Sequence, residues 1–318
     1  MKKILILYNA RSGHRRLSFQ SYLRELAEHD AETQTRTIGR KFNLRELLSD
    51  ASVFDRVVVA GGDGTVSAAA GILQNSNIPI LAYPGGTANL LARNLNLPSD
   101  PKKLADITLN GKLVRTDLGE LEFMRYTRRD LIKSRILKRG PAGTLMKKHF
   151  AVMAGCGFAA SLMLQAQPWK ASLGEASYWI GALTNPFPRR SRFRVKLDGR
   201  EIEARGIGIL IINFARIQFD LQIVAESAGS DGKLDIAIVK ARSLPGLMPV
   251  VWSALWEKFG FKRPLLREME SYQASELEIS MKPPLRLQFD GEILQKSSSF
   301  KARVLPAAAL FVSGTPAS

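Results

Sequence analysis

Two glycine-rich loops carry the chemistry that this sequence is equipped for. The first, Ala60-Gly61-Gly62-Asp63-Gly64-Thr65, follows the β-branched run Val57-Val58-Val59 and leads into Val66-Ser67-Ala68-Ala69-Ala70, which reads as strand, tight loop and helix start. Glycines let backbone N–H groups approach an anion with no Cβ in the way, and a helix N-terminus adds its positive dipole end. A phosphate suits such a loop. Asp63 would repel bare phosphates, so its presence points to a nucleotide carrying Mg²⁺. A plain strand-to-helix turn has the same look, and what favours the ligand is a second loop one βα unit later, Pro84-Gly85-Gly86-Thr87-Ala88-Asn89, after the strand-like residues 78–83. Both loops would lie at the carboxyl edge of a parallel sheet, where open α/β sheets bind ligands.

Three acidic motifs follow along the chain: Asp117-Leu118-Gly119, Asp231-Gly232-Lys233-Leu234-Asp235 and Asp290-Gly291-Glu292. Taken alone they read as a strand end with a turn, an Asp-Gly hairpin turn and an exposed hairpin tip. The elements that would position them alternate in type up to about residue 117. Residues 4–8, 33–37, 57–60 and 78–83 read as strands, Phe19, Tyr22, Leu23, Leu26 and Ala27 share one helix face, and Asn43 and Asp100-Pro101 start further helices. That order predicts an α/β domain with a parallel sheet. From about residue 120 the segments 150–154, 192–197, 207–212 and 234–239 read as strands, with Asp198-Gly199 as a hairpin turn. They predict a β-sandwich second domain. The expected division is 1–117 and 118–304, with residues 305–318 returning to complete the first domain.

Lys and Arg total 46 against 29 Asp and Glu, a net charge of +17 over 318 residues, which calls for an anionic partner such as nucleic acid, acidic lipid or polyphosphate. The single cysteine, Cys156, cannot pair within the chain and sits in an apolar run, as a small buried hydrophobe would. A reducing cytoplasm fits this composition. Residues 4–8 are too short for a signal-peptide core, and the longest apolar stretch, 244–256, is too short and too proline-rich to span a bilayer. Membrane contact is therefore expected to be peripheral. Residues 125–148 carry nine Lys or Arg against Asp130, either as a solvated loop or as a surface for anionic phospholipid headgroups. One aromatic, Tyr126, in that window argues against nucleic acid.

The pair GGDGT and PGGTAN, in that order and spacing, resembles the diacylglycerol kinase catalytic domain, a family of bacterial lipid kinases related to sphingosine kinases. The resemblance runs over nearly the whole chain and implies an ATP-dependent lipid kinase with an N-terminal α/β nucleotide domain and a C-terminal β-sandwich. It implies that Asn9, Ser12 and Gly13, Thr37, Gly61, Gly62, Asp63, Gly64, Thr65, Val66, Ser67, Gly86, Thr87, Asn89 and Asp117 surround the nucleotide, with Asp63 orienting its metal. Asp290 would take the proton of the substrate hydroxyl with Glu292 as helper, a sensible task because an alcohol is a poor nucleophile. Asp231 and the carbonyls of Ala228 and Lys233 would hold a structural Mg²⁺, the bare hairpin being the other reading.

Three departures from the family pattern stand out: Ala10 for a proline, Ser67-Ala68 for Asn-Glu, and Leu90 for an Asp. Two rivals stay open: a soluble NAD-kinase-like enzyme, since that family shares a GGDGT loop, and a non-catalytic regulator that binds lipid or nucleotide, which the Leu90 and Ser67-Ala68 changes allow. The Asp231 and Asp290 motifs argue against the first. No Gly-x4-Gly-Lys-Ser/Thr loop, His-Glu-x-x-His or cysteine cluster is present, which excludes P-loop enzymes and zinc sites of those kinds. The sequence leaves the oligomeric state open, a homodimer included.

Overall fold

Continuous apolar runs become parallel strands because both of their faces are covered. The structure is a computed structural model that describes residues 1–10, 12, 16–29, 31–39, 43–127, 130, 143–166, 187–214, 229–242 and 269–314. Expectations placed on Gly13, Ala228, most of the basic window and residues 244–256 lie outside these. Strands β1 (Lys3–Tyr8), β2 (Glu32–Thr37), β3 (Arg56–Gly61) and β4 (Ile80–Pro84) pair in parallel in the order β4-β3-β1-β2. Every residue of β3 is buried, whereas β2, the polar edge strand, is mostly exposed.

Helices α1 (Arg16–Glu28), α2 (Leu44–Leu47), α3 (Asp63–Ile72), α4 (Leu90–Asn94) and α5 (Pro101–Asn110) alternate with these strands. Asn43 and Asp100 cap α2 and α5 by accepting from the N–H groups of Arg45 and Lys103. One signal passed over in the sequence is an aromatic platform. Tyr8 stacks on Phe19 at 4.7 Å between centroids, and Tyr83, at the end of β4, meets Tyr22 at 5.1 Å and Phe19 at 5.2 Å. This platform sits under the start of the second glycine loop, since a Cβ on Gly85 would lie 3.3 Å from Tyr83 Cδ1.

The second half is antiparallel. It comprises β5 (Lys112–Arg125), β6 (Thr144–Phe150), β7 (Met153–Gly157), α6 (Phe158–Ala166), β8 (Ser191–Leu197), β9 (Arg200–Gly206), β10 (Gly208–Ile212), β11 (Leu234–Val239), β12 (Met269–Ala274), β13 (Glu276–Phe289) and β14 (Glu292–Ser313). The longest of these, β14, runs against β13 and β5 and meets β4 in parallel at Phe311 and Ile80, so the chain returns to the first half. One large buried cluster is drawn from residues 4–118 with 151–152, 214 and 308–312; the other spans residues 121–304. The α/β part and the β-sandwich part are the fold class the sequence predicts.

Three local readings change. Residues 150–154 form no single strand: β6 ends at Phe150 and β7 begins at Met153, for a reason found at the site below. Asp117 does not end a strand but sits inside β5, and Gly119 two residues on leaves room for Phe150, whose Cζ would be 1.9 Å from any Cβ there. The C-terminal end of the basic window is strand β6, where Lys147 lies 3.4 Å from both Glu120 and Glu122 across the ladder. Lys147 is thereby paired with carboxylates of β5. Cys156 is fully buried in β7, and burial pushes its thiol up to about 12, as an inert packing residue requires.

Candidate active site

The two glycine loops touch. A Cβ on Gly86 would lie 2.9 Å from Gly62 Cα, so only glycine lets the second loop close on the first. The second loop is held by Asn89, which adopts the left-handed conformation at φ 49°, accepts from Gly86 N–H at 2.7 Å and donates to the Pro84 carbonyl at 3.3 Å. Asn tolerates that conformation better than most residues. Asp63 ties the loops from the other side, accepting from Leu91 N–H at 3.0 Å. Asn9, at the end of β1, donates its side-chain amide to Thr65 Oγ1 at 3.2 Å and its N–H to the Ala60 carbonyl at 2.8 Å. Ser12 folds back on the Asn9 carbonyl at 2.9 Å, and Thr37 stands exposed at the end of β2 opposite Tyr8. Asn9, Thr37, Gly61, Gly62, Asp63, Gly64, Thr65, Gly86, Thr87 and Asn89 thus gather along the carboxyl edge of β1 to β4.

Whether this edge fits a nucleotide is tested by Gly62. Its backbone is extended at φ −81°, a value open to any residue, and a Cβ built there meets nothing within 4 Å. Packing does not demand a glycine; open space over the α3 N-terminus, where a phosphate would sit, is what a side chain would take away. Gly62→Val is accordingly expected to keep its melting temperature and to lose nucleotide binding, as read by calorimetric titration with ATP.

The Asp290-Gly291-Glu292 motif reaches this edge as the turn between β13 and β14, with Asp290 at φ 37° and Gly291 at φ 86°. Its two carboxylates part company. Glu292 is exposed, makes no hydrogen bond or ion pair among the described residues, and lies against α3: a Cβ on Gly64 would come within 2.8 Å of its Oε1. Asp290 is 3% exposed and saturated. Its Oδ2 accepts from Ala151 N–H at 2.6 Å and from the Ser67 hydroxyl, and its Oδ1 from Val152 N–H at 3.0 Å and Met153 N–H at 2.8 Å. These converging N–H groups are why the strand breaks after Phe150. The expectation that Asp290 takes a substrate proton meets a carboxylate whose acceptor positions already hold four donors.

Burial pushes the Asp290 carboxyl up to about 6; the Ser67, Met153 and Ala151 hydrogen bonds act the other way, and the Asp63 charge adds to the rise. A carboxyl that binds its proton more tightly folded than unfolded contributes stability that declines as pH rises from about 4 to about 6 and is level above. The advantage of the parent over Asp290→Asn is expected to widen as pH falls from 7 to 4 in urea denaturation. A constant gap would mean that this carboxyl does not titrate there.

Several residues assigned to the nucleotide stand elsewhere. Ser67 is fully buried and bridges Asp290 and Ala151 N–H, the latter at 3.2 Å; a polar residue on an otherwise apolar helix face was the signal available for it. Val66 is buried with its N–H on the Gly62 carbonyl at 3.2 Å. Asp117 is 2% exposed and accepts at 2.7 Å from both Gly232 N–H and Ala307 N–H, so it ties β14 and the 229–232 turn to β5. In that turn Asp231 is exposed and accepts from Lys233 N–H at 3.1 Å. Among the described residues no three acidic, His or Cys side chains gather to hold a metal. Asp231 is the one carboxylate of the expected metal turn among its described residues, and the Ala228 carbonyl expected beside it lies outside them.

Both halves of the chain match known protein families. Residues 3–121 match the diacylglycerol kinase catalytic domain and residues 151–312 the YegS C-terminal NAD kinase beta sandwich-like domain. A diacylglycerol kinase of Mycobacterium tuberculosis is 29% identical over 219 residues, 66% of this chain and 63% of the relative's length. One of Bacillus subtilis is 23% identical over 301 residues, 92% and 90% of the two chains. The crystal structure of a diacylglycerol kinase from Bacillus anthracis superposes with a TM-score of 0.72 at 18% identity, covering 98% of this chain and 97% of the other, which shows a shared fold.

Proposed function

This chain belongs to the family defined by the diacylglycerol kinase catalytic domain and the YegS C-terminal domain, and on that footing we propose that it transfers the γ-phosphoryl group of ATP to a hydroxyl of diacylglycerol or a similar long-chain lipid. The observation that carries the reading is the exposed Glu292 carboxylate set against Gly64, at the mouth of a double glycine loop. Gly61, Gly62, Gly64, Thr65, Gly86 and Thr87 surround the phosphates, whose negative charge the N-terminal N–H groups of α3 offset. Asp63, at the first position of α3, is the residue to hold Mg²⁺, which when bound neutralises charge on the phosphates. Glu292 accepts the proton of the lipid hydroxyl as its oxygen bonds to phosphorus. Asp290 is a positioning residue: anchored on Ser67 and on Ala151 to Met153, it fixes the turn that aims Glu292.

The acceptor is read as a membrane lipid. No helix among the described residues is long and apolar enough to cross a membrane, so the protein would meet its substrate from the bilayer surface. The test is label transfer from γ-labelled ATP to a panel of lipids in mixed micelles, with NAD as soluble control. Labelled phospholipid supports the reading. Labelled NADP with a blank lipid phase defeats it.

A further inference from the structure

Two of the large hydrophobic side chains left in solvent, Phe187 at 74% and Leu164 at 42% exposure, line one cavity of about 430 Å³ between α6, residues 187–189 and the 284–286 bend of β13. Buried Leu285 lines it too, and its charged lining residues are Arg189, Arg286 and Lys296, with no carboxylate. Some strand cations elsewhere are neutralised: Arg303 meets Glu120, Arg194 meets Glu201 and Glu203, Lys301 meets Glu278, and Lys240 meets Glu270. The three cavity cations make no ion pair among the described residues, and Arg286 donates only to the Leu294 carbonyl, at 3.2 Å. Unpaired positive charge around an apolar recess fits a ligand that is anionic at one end and hydrocarbon at the other. A phosphopeptide or a nucleic acid would satisfy the cations and leave Phe187 and Leu164 in water. The volume falls in the range of roughly 300–1,000 Å³ typical of small-molecule sites.

We infer that this cavity binds one anionic phospholipid of the bilayer, with its phosphate among Arg189, Arg286 and Lys296 and its hydrocarbon against Leu164, Phe187 and Leu285. Arg286 precedes Asp290 by four residues on one strand, about 13 Å at the usual rise, so the phospholipid docks beside the phosphoryl-transfer site without entering it. The inference rests on the lipid-kinase reading for its purpose, since a kinase acting on a bilayer lipid gains from being held at that surface, but the site is testable without it.

Arg189→Gln/Lys296→Gln removes two charges and leaves the Arg286 hydrogen bond in place; Lys102→Gln/Lys112→Gln removes two exposed charges elsewhere and serves as control. Sedimentation is measured with vesicles of phosphatidylcholine alone and of phosphatidylcholine with phosphatidylglycerol. The cavity pair is expected to bind the anionic vesicles at least about tenfold more weakly than the parent, as two basic residues at an anionic surface imply, and the control pair to bind them as the parent does. Phe187→Ser is expected to weaken the same binding by about tenfold through lost apolar burial. Dihexanoyl phosphatidylglycerol, below its micelle threshold, is expected to titrate the parent one to one and to show no saturable binding to the cavity pair, and inorganic phosphate is expected not to displace it. Equal losses in cavity and control pairs, or unchanged titration of the short-chain lipid by the cavity pair, would overturn the site. Label transfer to micellar diacylglycerol by the unaltered protein is read in parallel. Transfer without cavity-dependent binding defeats the site and leaves the kinase, and cavity-dependent binding without transfer does the reverse.

Discussion

Replacing Glu292 by glutamine is expected to lower kcat by about 10²- to 10⁴-fold, the contribution of a positioned general base, while the KM for ATP stays where it was. Glutamine keeps the shape of the side chain that rests on Gly64 and loses only its capacity to take a proton. The loss belongs in kcat because a proton leaves the hydroxyl only as the phosphorus–oxygen bond forms, so the interaction is made in the transition state and not with bound nucleotide. Steady-state kinetics with ATP as the varied substrate checks both. A variant with parental kcat would remove Glu292 from the chemistry.

Asp290→Ala is expected to destabilise the fold by on the order of 3–5 kcal/mol, because it strips the carboxylate from three N–H groups, two of them buried, and from a buried hydroxyl at once. The loss should appear in urea denaturation before any assay of activity. Ser67→Ala removes one donor to a charged acceptor and is expected to cost about 1.5–3 kcal/mol. The hydroxyl and carboxylate touch each other, so the two losses are expected to be less than additive in Ser67→Ala/Asp290→Ala. Full additivity would contradict the shared anchor.

The parallel strands and the glycine loops were legible because their signals are local. A β-branched run ending in paired glycines specifies its own geometry, and Asn43 and Asp100 announce their helices by type. What was not legible depends on packing between distant segments. Asp198-Gly199 and Asp290-Gly291 are the same dipeptide in the same left-handed turn, with φ values of 46° and 88° against 37° and 86°. Asp198 stays exposed and accepts from the N–H groups of Ser275 at 3.0 Å and Glu276 at 2.9 Å, while Asp290 is buried against α3 and the break between β6 and β7. Nothing within either hairpin tells them apart. The same limit hid Ser67, whose partner is 223 residues away, and strand β6, whose Lys147 reads as part of a charged loop until Glu120 and Glu122 lie across from it. Asp117 stands out in the sequence as an acid two residues before a glycine, and in the structure it joins two chain segments to β5.

The central claim is that the double glycine loop and Glu292 form one catalytic unit for phosphoryl transfer to a lipid. The most direct measurement compares the initial rate of label transfer from γ-labelled ATP into micellar diacylglycerol by the parent protein, Glu292→Gln and Gly62→Val, with ATP binding of each titrated in the same preparation. Steady labelling of lipid is expected of the parent, ATP binding without appreciable transfer of Glu292→Gln, and neither of Gly62→Val. Undiminished transfer in Glu292→Gln, or ATP binding by Gly62→Val equal to that of the parent, would contradict the central claim.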